Sequence, residues 1–327
     1  MGLHSRIAVT GGAGQIAYSL LFRLAKGELL PGQTLSLHIL EVPEALACLE
    51  GVRMELQDAA FPLLQEIIIG SDPWKVFEGV NYAFLVGAKP RGAGMERKDL
   101  LGENGKIFKE QGRALNDVAA RDVRTLVVGN PCNTNCLIAL HNAKNIPSNQ
   151  FQAMTRLDQN RAAAYLAEKA AQPVSHVKKM TIWGNHSSTQ VPDFYNAEID
   201  GKPAHAVVSD INWLENEFIK KVQNRGAEII RARGKSSAAS AASSAIDAMR
   251  AVIEPTESND WFSAGVYTQN NSYGIDPDLV FSLPCKSFKK GIWQEVKGVS
   301  WNDFLRDKIR LSEKELIEER ELIKELL

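Results

Sequence analysis

A histidine, an aspartate and three arginines occupy positions where their side chains could do chemistry together. His186 lies in Gly184-Asn185-His186-Ser187-Ser188, directly after the apolar run Met180-Thr181-Ile182-Trp183. Asp158 and Arg161 are three residues apart in Leu157-Asp158-Gln159-Asn160-Arg161, so on a helix they share one face. Arg91 and Arg97 stand in the glycine-bearing, basic segment from Pro90 to Lys98, which follows the buried run Tyr82-Ala83-Phe84-Leu85-Val86. Oxidation of an alcohol by hydride removal needs a base for the hydroxyl proton, and histidine is the usual one near neutral pH. A carboxylate would orient the imidazole, and an arginine would grip a substrate carboxylate. A glycine-bearing basic loop after a strand suits a lid that closes over an anion. Each feature has a plain alternative: a structural histidine, a surface ion pair, a solvated loop. Their joint presence fills every role such an oxidation requires.

A second constellation points to the oxidant. Gly12-Ala13-Gly14-Gln15-Ile16-Ala17 fits G-x-G-x-x-A, with Gly11 before it. It falls between a β-branched run, Arg6 to Thr10, and a segment of helical spacing, Ile16 to Ala25. Glycines there let the backbone approach a pyrophosphate, and the helix N-terminus offers N–H groups and a positive dipole end. The plain alternative is a tight strand–helix turn. Glu41 closes the next strand, where an acid can accept hydrogen bonds from both ribose hydroxyls and repel a 2′-phosphate. No Arg or Lys follows among Val42, Pro43 and Glu44, so the expected cofactor is NAD in preference to NADP.

These residues need a frame. Through the first half, strand-like runs at Arg6–Thr10, Thr34–Leu40, Ile67–Ile69, Asn81–Gly87 and Thr125–Val128 alternate with helical spacing at 16–25, 46–57 and 104–120. The expectation is an α/β protein: an N-terminal Rossmann-type parallel-sheet domain over residues 1–154 and a C-terminal α+β substrate domain over 155–327. In the second half, Phe151 to Ala171 and Trp213 to Arg231 read as helices, with strands at Met180–Trp183 and near Tyr267 and Val280. The Ser/Ala-rich stretch from Lys235 to Ile246 is expected to be a closely packed helix, not a linker, with a serine touching substrate as a further reading. Ser312 and Glu315 read as a capping box opening a terminal helix.

Composition narrows the class. The chain has 327 residues, and 38 Lys plus Arg against 39 Asp plus Glu leave a net charge of -1. That gives no electrostatic case for nucleic acid or an anionic membrane. No apolar run approaches the ~18 residues of a membrane span, and the first strand begins so early that no signal or transit peptide is expected. The four cysteines contain no C-x-x-C pair. They read as buried free thiols and not as a zinc site or staple, and the expected location is cytoplasmic.

The motifs Met154-Thr155-Arg156-Leu157-Asp158-Gln159-Asn160-Arg161-Ala162, Gly129-Asn130-Pro131-Cys132-Asn133-Thr134, Trp183-Gly184-Asn185-His186-Ser187-Ser188 and Gly94-Met95-Glu96-Arg97-Lys98-Asp99-Leu100-Leu101 resemble the cytosolic-type malate dehydrogenase branch of the lactate/malate dehydrogenase family. The resemblance runs the length of the chain. It implies NAD-dependent, reversible oxidation of (S)-malate to oxaloacetate, with His186 as proton acceptor and Asp158 holding its imidazole. It further implies that Arg161 pairs with the C1 carboxylate, that Arg97 polarises the C2 oxygen and that Arg91 meets the distal carboxylate. Asn130 would contact substrate and cofactor, after which a cis bond to Pro131 is expected. Gly11 to Ala17, Glu41, Asn104, Gln111, Val128, Gly129 and Asn130 would line the cofactor, and a homodimer is expected. Glu41 departs from the Asp more common in the family. The rival readings are a dehydrogenase of another 2-hydroxy acid, such as lactate, and a non-catalytic NAD-binding protein.

Overall fold

A computed structural model describes residues 4–89, 97–289 and 291–327, with the side chain of Arg97 outside that description. By packing, the chain divides into two compact units. The first takes residues 1–153 together with 238–249 and 319–327; the second takes 154–237 and 250–318.

The first unit alternates strand and helix as its apolar runs predict. In chain order it contains β1 (His4–Thr10), α1 (Gln15–Ala25), β2 (Thr34–Leu40), α2 (Leu46–Asp58), β3 (Leu64–Gly70), α3 (Pro73–Val76), β4 (Tyr82–Leu85), α4 (Arg97–Val118), β5 (Arg124–Val127), α5 (Cys132–His141) and β6 (Phe151–Ala153). All six strands pair in parallel, in the order β3-β2-β1-β4-β5-β6. The strand order reverses between β1 and β4, the crevice where open α/β sheets take their ligands. Ile7, Val9, Leu37, Ile39, Phe84 and Leu126 are fully buried. In β2 the intervening Ser36 and His38 are buried as well, as both faces of a parallel sheet are covered.

Phe151 to Ala153 is the sixth strand, not the start of a helix; its residues pair with Thr125–Val127. A three-residue buried strand leading into a helix has too little periodicity to separate the two. The helix itself, α6, runs Arg156–Lys169.

The rest of the chain adds β7 (Val177–Lys178), β8 (Thr181–Trp183), β9 (Val191–Asp193), β10 (Glu198–Ile199), β11 (Lys202–Pro203), α7 (Ala204–Val208), α8 (Ile211–Trp213), α9 (Ile219–Arg233), α10 (Ala239–Ile253), β12 (Phe262–Tyr267), β13 (Val280–Lys289), β14 (Ile292–Glu295) and α11 (Asp303–Leu322). Within the second unit β12, β13 and β14 form an antiparallel meander, and β8 pairs with β9. Leu166, Ile182, Phe194, Leu214 and Phe218 fill a core between α6 and the following elements. The Ser/Ala-rich stretch is helical from Ala239 onward, with Ala241, Ala242 and Ala245 buried in α10, while residues 235–238 before it are not helical. Ser312 does not cap a helix: it lies inside α11, which begins nine residues earlier at Asp303. Cys132, Cys136 and Cys285 are buried free thiols, whereas Cys48 is exposed, against the expectation for it. Among the described residues no helix is long and apolar enough to cross a membrane.

Candidate active site

In the first unit the glycine turn sits at the carboxyl end of β1. Gly11 and Gly12 donate to the Leu40 carbonyl at 2.8 and 3.3 Å, which ties the turn to the end of β2. Gly11 has φ +68, and a Cβ there would lie 2.6 Å from the Gly87 Cα. Only glycine satisfies both the left-handed backbone and that approach. Gly14 precedes α1, whose first turn has no side-chain cap and no acidic residue. Gly14 and Gln15 are exposed. Uncapped N–H groups at an open helix start suit a pyrophosphate. Ile16 is half-buried and Ala17 buried at the start of that helix.

Glu41 follows β2 and faces the same turn. One carboxylate oxygen accepts from the Ala13 backbone N–H at 2.9 Å and the other from Val42 at 2.9 Å. A carboxylate has about four lone-pair sites, so both oxygens keep capacity for ribose hydroxyls. Gln111 is buried on α4 and its Oε1 has no hydrogen-bond partner among the described residues, an acceptor that a donor on a bound cofactor would satisfy. Asn104 is fully buried and occupied with the chain: Oδ1 accepts from Lys89 N at 2.7 Å and Nδ2 donates to the Lys89 and Asn130 carbonyls. It therefore braces the exit of β4 against the Asn130 segment. Val128 is buried, and Gly129 accepts at its carbonyl from Asn135 Nδ2 at 2.9 Å. Asn130 is exposed, and its bond to Pro131 is cis. The turn, the open helix start, the acid and the orphaned amide oxygen are a donor and acceptor set that fits a nicotinamide dinucleotide.

The second unit brings together His186, Asp158 and Arg161. Asp158 lies in the first turn of α6, fully buried, and its Oδ2 bonds His186 Nδ1. Its Oδ1 accepts from Arg161 at 3.3 Å, one helical turn along the same face. A second guanidinium nitrogen of Arg161 donates to Ser237 Oγ at 3.2 Å. Burial pulls the His186 pKa down most strongly among single effects. The Asp158 charge and hydrogen bond together outweigh it, with Arg161 opposing them, and the imidazole ends above its ordinary 6.5. With Nδ1–H directed at Asp158, Nε2 becomes the atom that can exchange a proton with a substrate.

Ser282 on β13 holds the two sides of this pair in register. Its backbone pairs with Gly184 at the end of β8, N–H to carbonyl in both directions. Its hydroxyl shares a 2.8 Å hydrogen bond with Thr155, the residue that precedes α6. Gln159 Oε1 accepts from Ser263 N at 2.9 Å and fastens α6 to β12. A fixed helix and a fixed turn thus present Asp158 to His186.

Of the other expected site residues, Arg91 lies outside the described residues, and Arg97 is described only as the first residue of α4. Sequence reasoning missed Ser237 as the arginine's partner, and Ser312 and Glu315 as partners of the histidine turn. Ser312 and Glu315 carried a signal in their i,i+3 spacing, but that spacing serves a cap and a shared helix face alike.

The chain matches two family descriptions: lactate/malate dehydrogenase, NAD binding domain, over residues 5–152, and lactate/malate dehydrogenase, alpha/beta C-terminal domain, over residues 155–327. It is 57% identical to a malate dehydrogenase of Protochlamydia amoebophila (strain UWE25), covering 98% of each chain. It is 53% identical to the chloroplastic NADP malate dehydrogenase of Pisum sativum, covering 98% of this chain and 73% of that one. Among solved structures, malate dehydrogenase from Naegleria fowleri superposes with TM-score 0.96 at 46% identity over 100% of both chains. A Trichomonas vaginalis lactate dehydrogenase, solved with NADH and oxamate, superposes with TM-score 0.94 at 38% identity over 98% of both.

Proposed function

This chain belongs to the lactate/malate dehydrogenase family, and from that premise we propose how it works. Its reaction is the interconversion of malate and oxaloacetate with a nicotinamide cofactor. We infer that the cofactor is NAD, held by the Gly11–Ala17 turn with Glu41 on the ribose. When bound, NAD supplies the acceptor for the hydride that leaves C2 of malate. His186 Nε2 takes the hydroxyl proton as that hydride departs, and returns it in the reverse direction. Asp158 stabilises the imidazolium so formed and keeps the ring in the required tautomer. Arg161 grips the C1 carboxylate through its fork, with Ser237 and Asp158 limiting its rotation. Arg97 polarises the C2 oxygen and Arg91 meets the second carboxylate, which only a dicarboxylic substrate carries. The observation that carries the reading is the buried aspartate shared between a histidine and an arginine. A cytoplasmic location and a homodimer complete the proposal; fractionation and the mass in solution check them.

The direct test compares kcat/KM for oxaloacetate and pyruvate with NADH, in the protein and in Arg91→Gln. Oxaloacetate is expected to be the far better substrate of the unmodified protein. Breaking a desolvated charge pair costs about 2–5 kcal/mol, and about 1.4 kcal/mol is tenfold in rate. Arg91→Gln should therefore lose ~10–10³-fold on oxaloacetate and gain relatively on pyruvate. Preference for pyruvate in the unmodified protein would overturn the substrate, and an unchanged ratio in the variant would remove Arg91 from its role.

A further inference from the structure

We propose that Glu315 is a positioning residue for catalysis: one oxygen of its carboxylate gathers donors from both sides of His186 and so holds the imidazole against Asp158. The inference rests on the reading of His186 as the proton carrier.

The histidine occupies the turn between β8 and β9, and little regular backbone structure restrains it. Before His186 the chain is held by the Gly184–Ser282 bridge; after it the backbone ties within the turn are Ser187 N to Asn185 O at 2.8 Å and Gln190 N to Ser187 O at 3.3 Å. Gln223 on α9 adds a hydrogen bond to the Gln190 carbonyl at 2.8 Å, and α11 contributes a cluster of side-chain bonds. Glu315 Oε2 accepts from Asn185 Nδ2 at 3.0 Å, from Ser187 Oγ at 2.5 Å and from Thr189 Oγ1 at 2.6 Å. One helical turn away, Ser312 Oγ accepts from Asn185 N at 2.8 Å and shares a 2.9 Å bond with Thr189 Oγ1. Hydrogen bonds to an ionised carboxylate are stronger than neutral ones, and three converging on one oxygen gather residues 185, 187 and 189 around a single point.

The helix comes close enough to do this because residue 184 is glycine. Gly184 has φ +94, and a Cβ there would overlap Ser312 Oγ and Cβ. Among the described residues, the charges that shift the imidazole's pKa are those of Asp158 and Arg161, both on α6. Glu315 therefore acts on His186 through the turn, by placement, and not as a neighbouring charge. Misplacement of a reacting group by about 1 Å can cost ~10²-fold in rate, which gives a side chain far from the substrate its leverage.

Three variants test this: Glu315→Gln, the double variant Ser187→Ala/Thr189→Ala, and His186→Asn. For each, kcat, KM for oxaloacetate, the NADH Kd, the pH dependence of kcat/KM and Tm are measured. Glu315→Gln and the double variant are expected to lose ~10–10²-fold in kcat, with KM and NADH Kd little changed. Their pH limb should move to lower pH, because an imidazole loosened from Asp158 loses the contact that raises its pKa. The double variant retains the Glu315 charge, so a shared shift identifies placement as the cause; it also decides the matter if Glu315→Gln does not fold. Unmodified kcat and pH limb in a folded Glu315→Gln would overturn the proposal, as would a fall in Tm alone with the limb in place. Near-normal turnover by His186→Asn would remove the reading beneath it, and the proposal with that reading.

Discussion

On the proposed reading, Glu41 is the residue on which cofactor choice turns. Its carboxylate already accepts from the Ala13 and Val42 backbone, so its position is fixed by the turn that would cradle the pyrophosphate. A fixed negative charge there accepts hydrogen bonds from a ribose diol and repels a 2′-phosphate. Relatives that use NADP by name lie within the same range of similarity, so the global fold does not decide the cofactor and local residues must. The unmodified protein is expected to favour NADH strongly over NADPH, and Glu41→Ser to narrow that preference. Comparison of kcat/KM for the two cofactors in both proteins checks it; equal use by the unmodified protein would refute the assignment. Type and place make an acid ending a strand, a base after one and two charges on one helical face legible in the sequence, and the structure brings His186, Asp158 and Arg161 together; the roles of these residues and of Glu41 belong to the proposal. Ser237 and Glu315 were not legible, because each acts across 76 or 128 to 130 positions of chain. The i,i+3 spacing of Ser312 and Glu315 marks a shared helix face, but nothing local names the distant partner that face will meet.

At the level of elements, the histidine turn depends on how closely α11 packs against the end of β8. Gly184 is the point of contact. Gly184→Ala would place a Cβ into Ser312 and force alanine to φ +94; a left-handed backbone alone costs about 1–2 kcal/mol for an L-residue. The variant is expected to melt several degrees lower and to lose turnover beyond what its folded fraction accounts for, as Ser312 and Glu315 are pushed off the turn. Thermal unfolding and kcat on the same preparation check this, and an unchanged Tm with full kcat would contradict it. The same region shows where element reading stops. Ser312 and Glu315 were placed on a helix correctly, yet at its start, because polar residues at i,i+3 before apolar ones fit a cap. Asp303 to Leu311 had no stronger signal of their own, and the long amphipathic helix ran through them. Phe151–Ala153 failed for the complementary reason: a strand of three residues has no period to read. Longer parallel strands such as β1, an apolar run ended by glycine, and β2, an alternating one, are legible to within two residues.

For the whole molecule, the alternation of strands and helices sufficed to expect a parallel nucleotide-binding sheet followed by a second lobe. It did not reveal that residues 238–249 and 319–327 pack with the first unit. Those segments return after long excursions, and a hydrophobic stripe on a helix says that it is buried, not against which partner. Thr134 on α5 hydrogen-bonds the buried Glu319, and Asn142 Nδ2 donates to the Leu326 carbonyl at 2.8 Å. Such long-range polar contacts secure the chain's end to the first unit and have no local signature.

On the proposed reading, the reaction of the molecule as a whole exchanges one proton through His186. Reduction of oxaloacetate needs the imidazolium, and oxidation of malate needs the neutral ring. The Asp158 charge and hydrogen bond hold the His186 pKa above 6.5, against burial and Arg161. Reduction should therefore persist through lower pH and fall as pH rises through that raised value. Asp158→Asn removes the charge that raises the pKa and leaves burial and Arg161 to lower it, so the limb should move to lower pH. The decisive measurement is the pH dependence of kcat/KM for oxaloacetate reduction in the unmodified protein and in Asp158→Asn. The account predicts a limb above 6.5 that moves to lower pH in the variant, with a large loss of rate. A limb that stays in place when Asp158 is replaced would contradict the His186–Asp158 pair as the proton-transferring group.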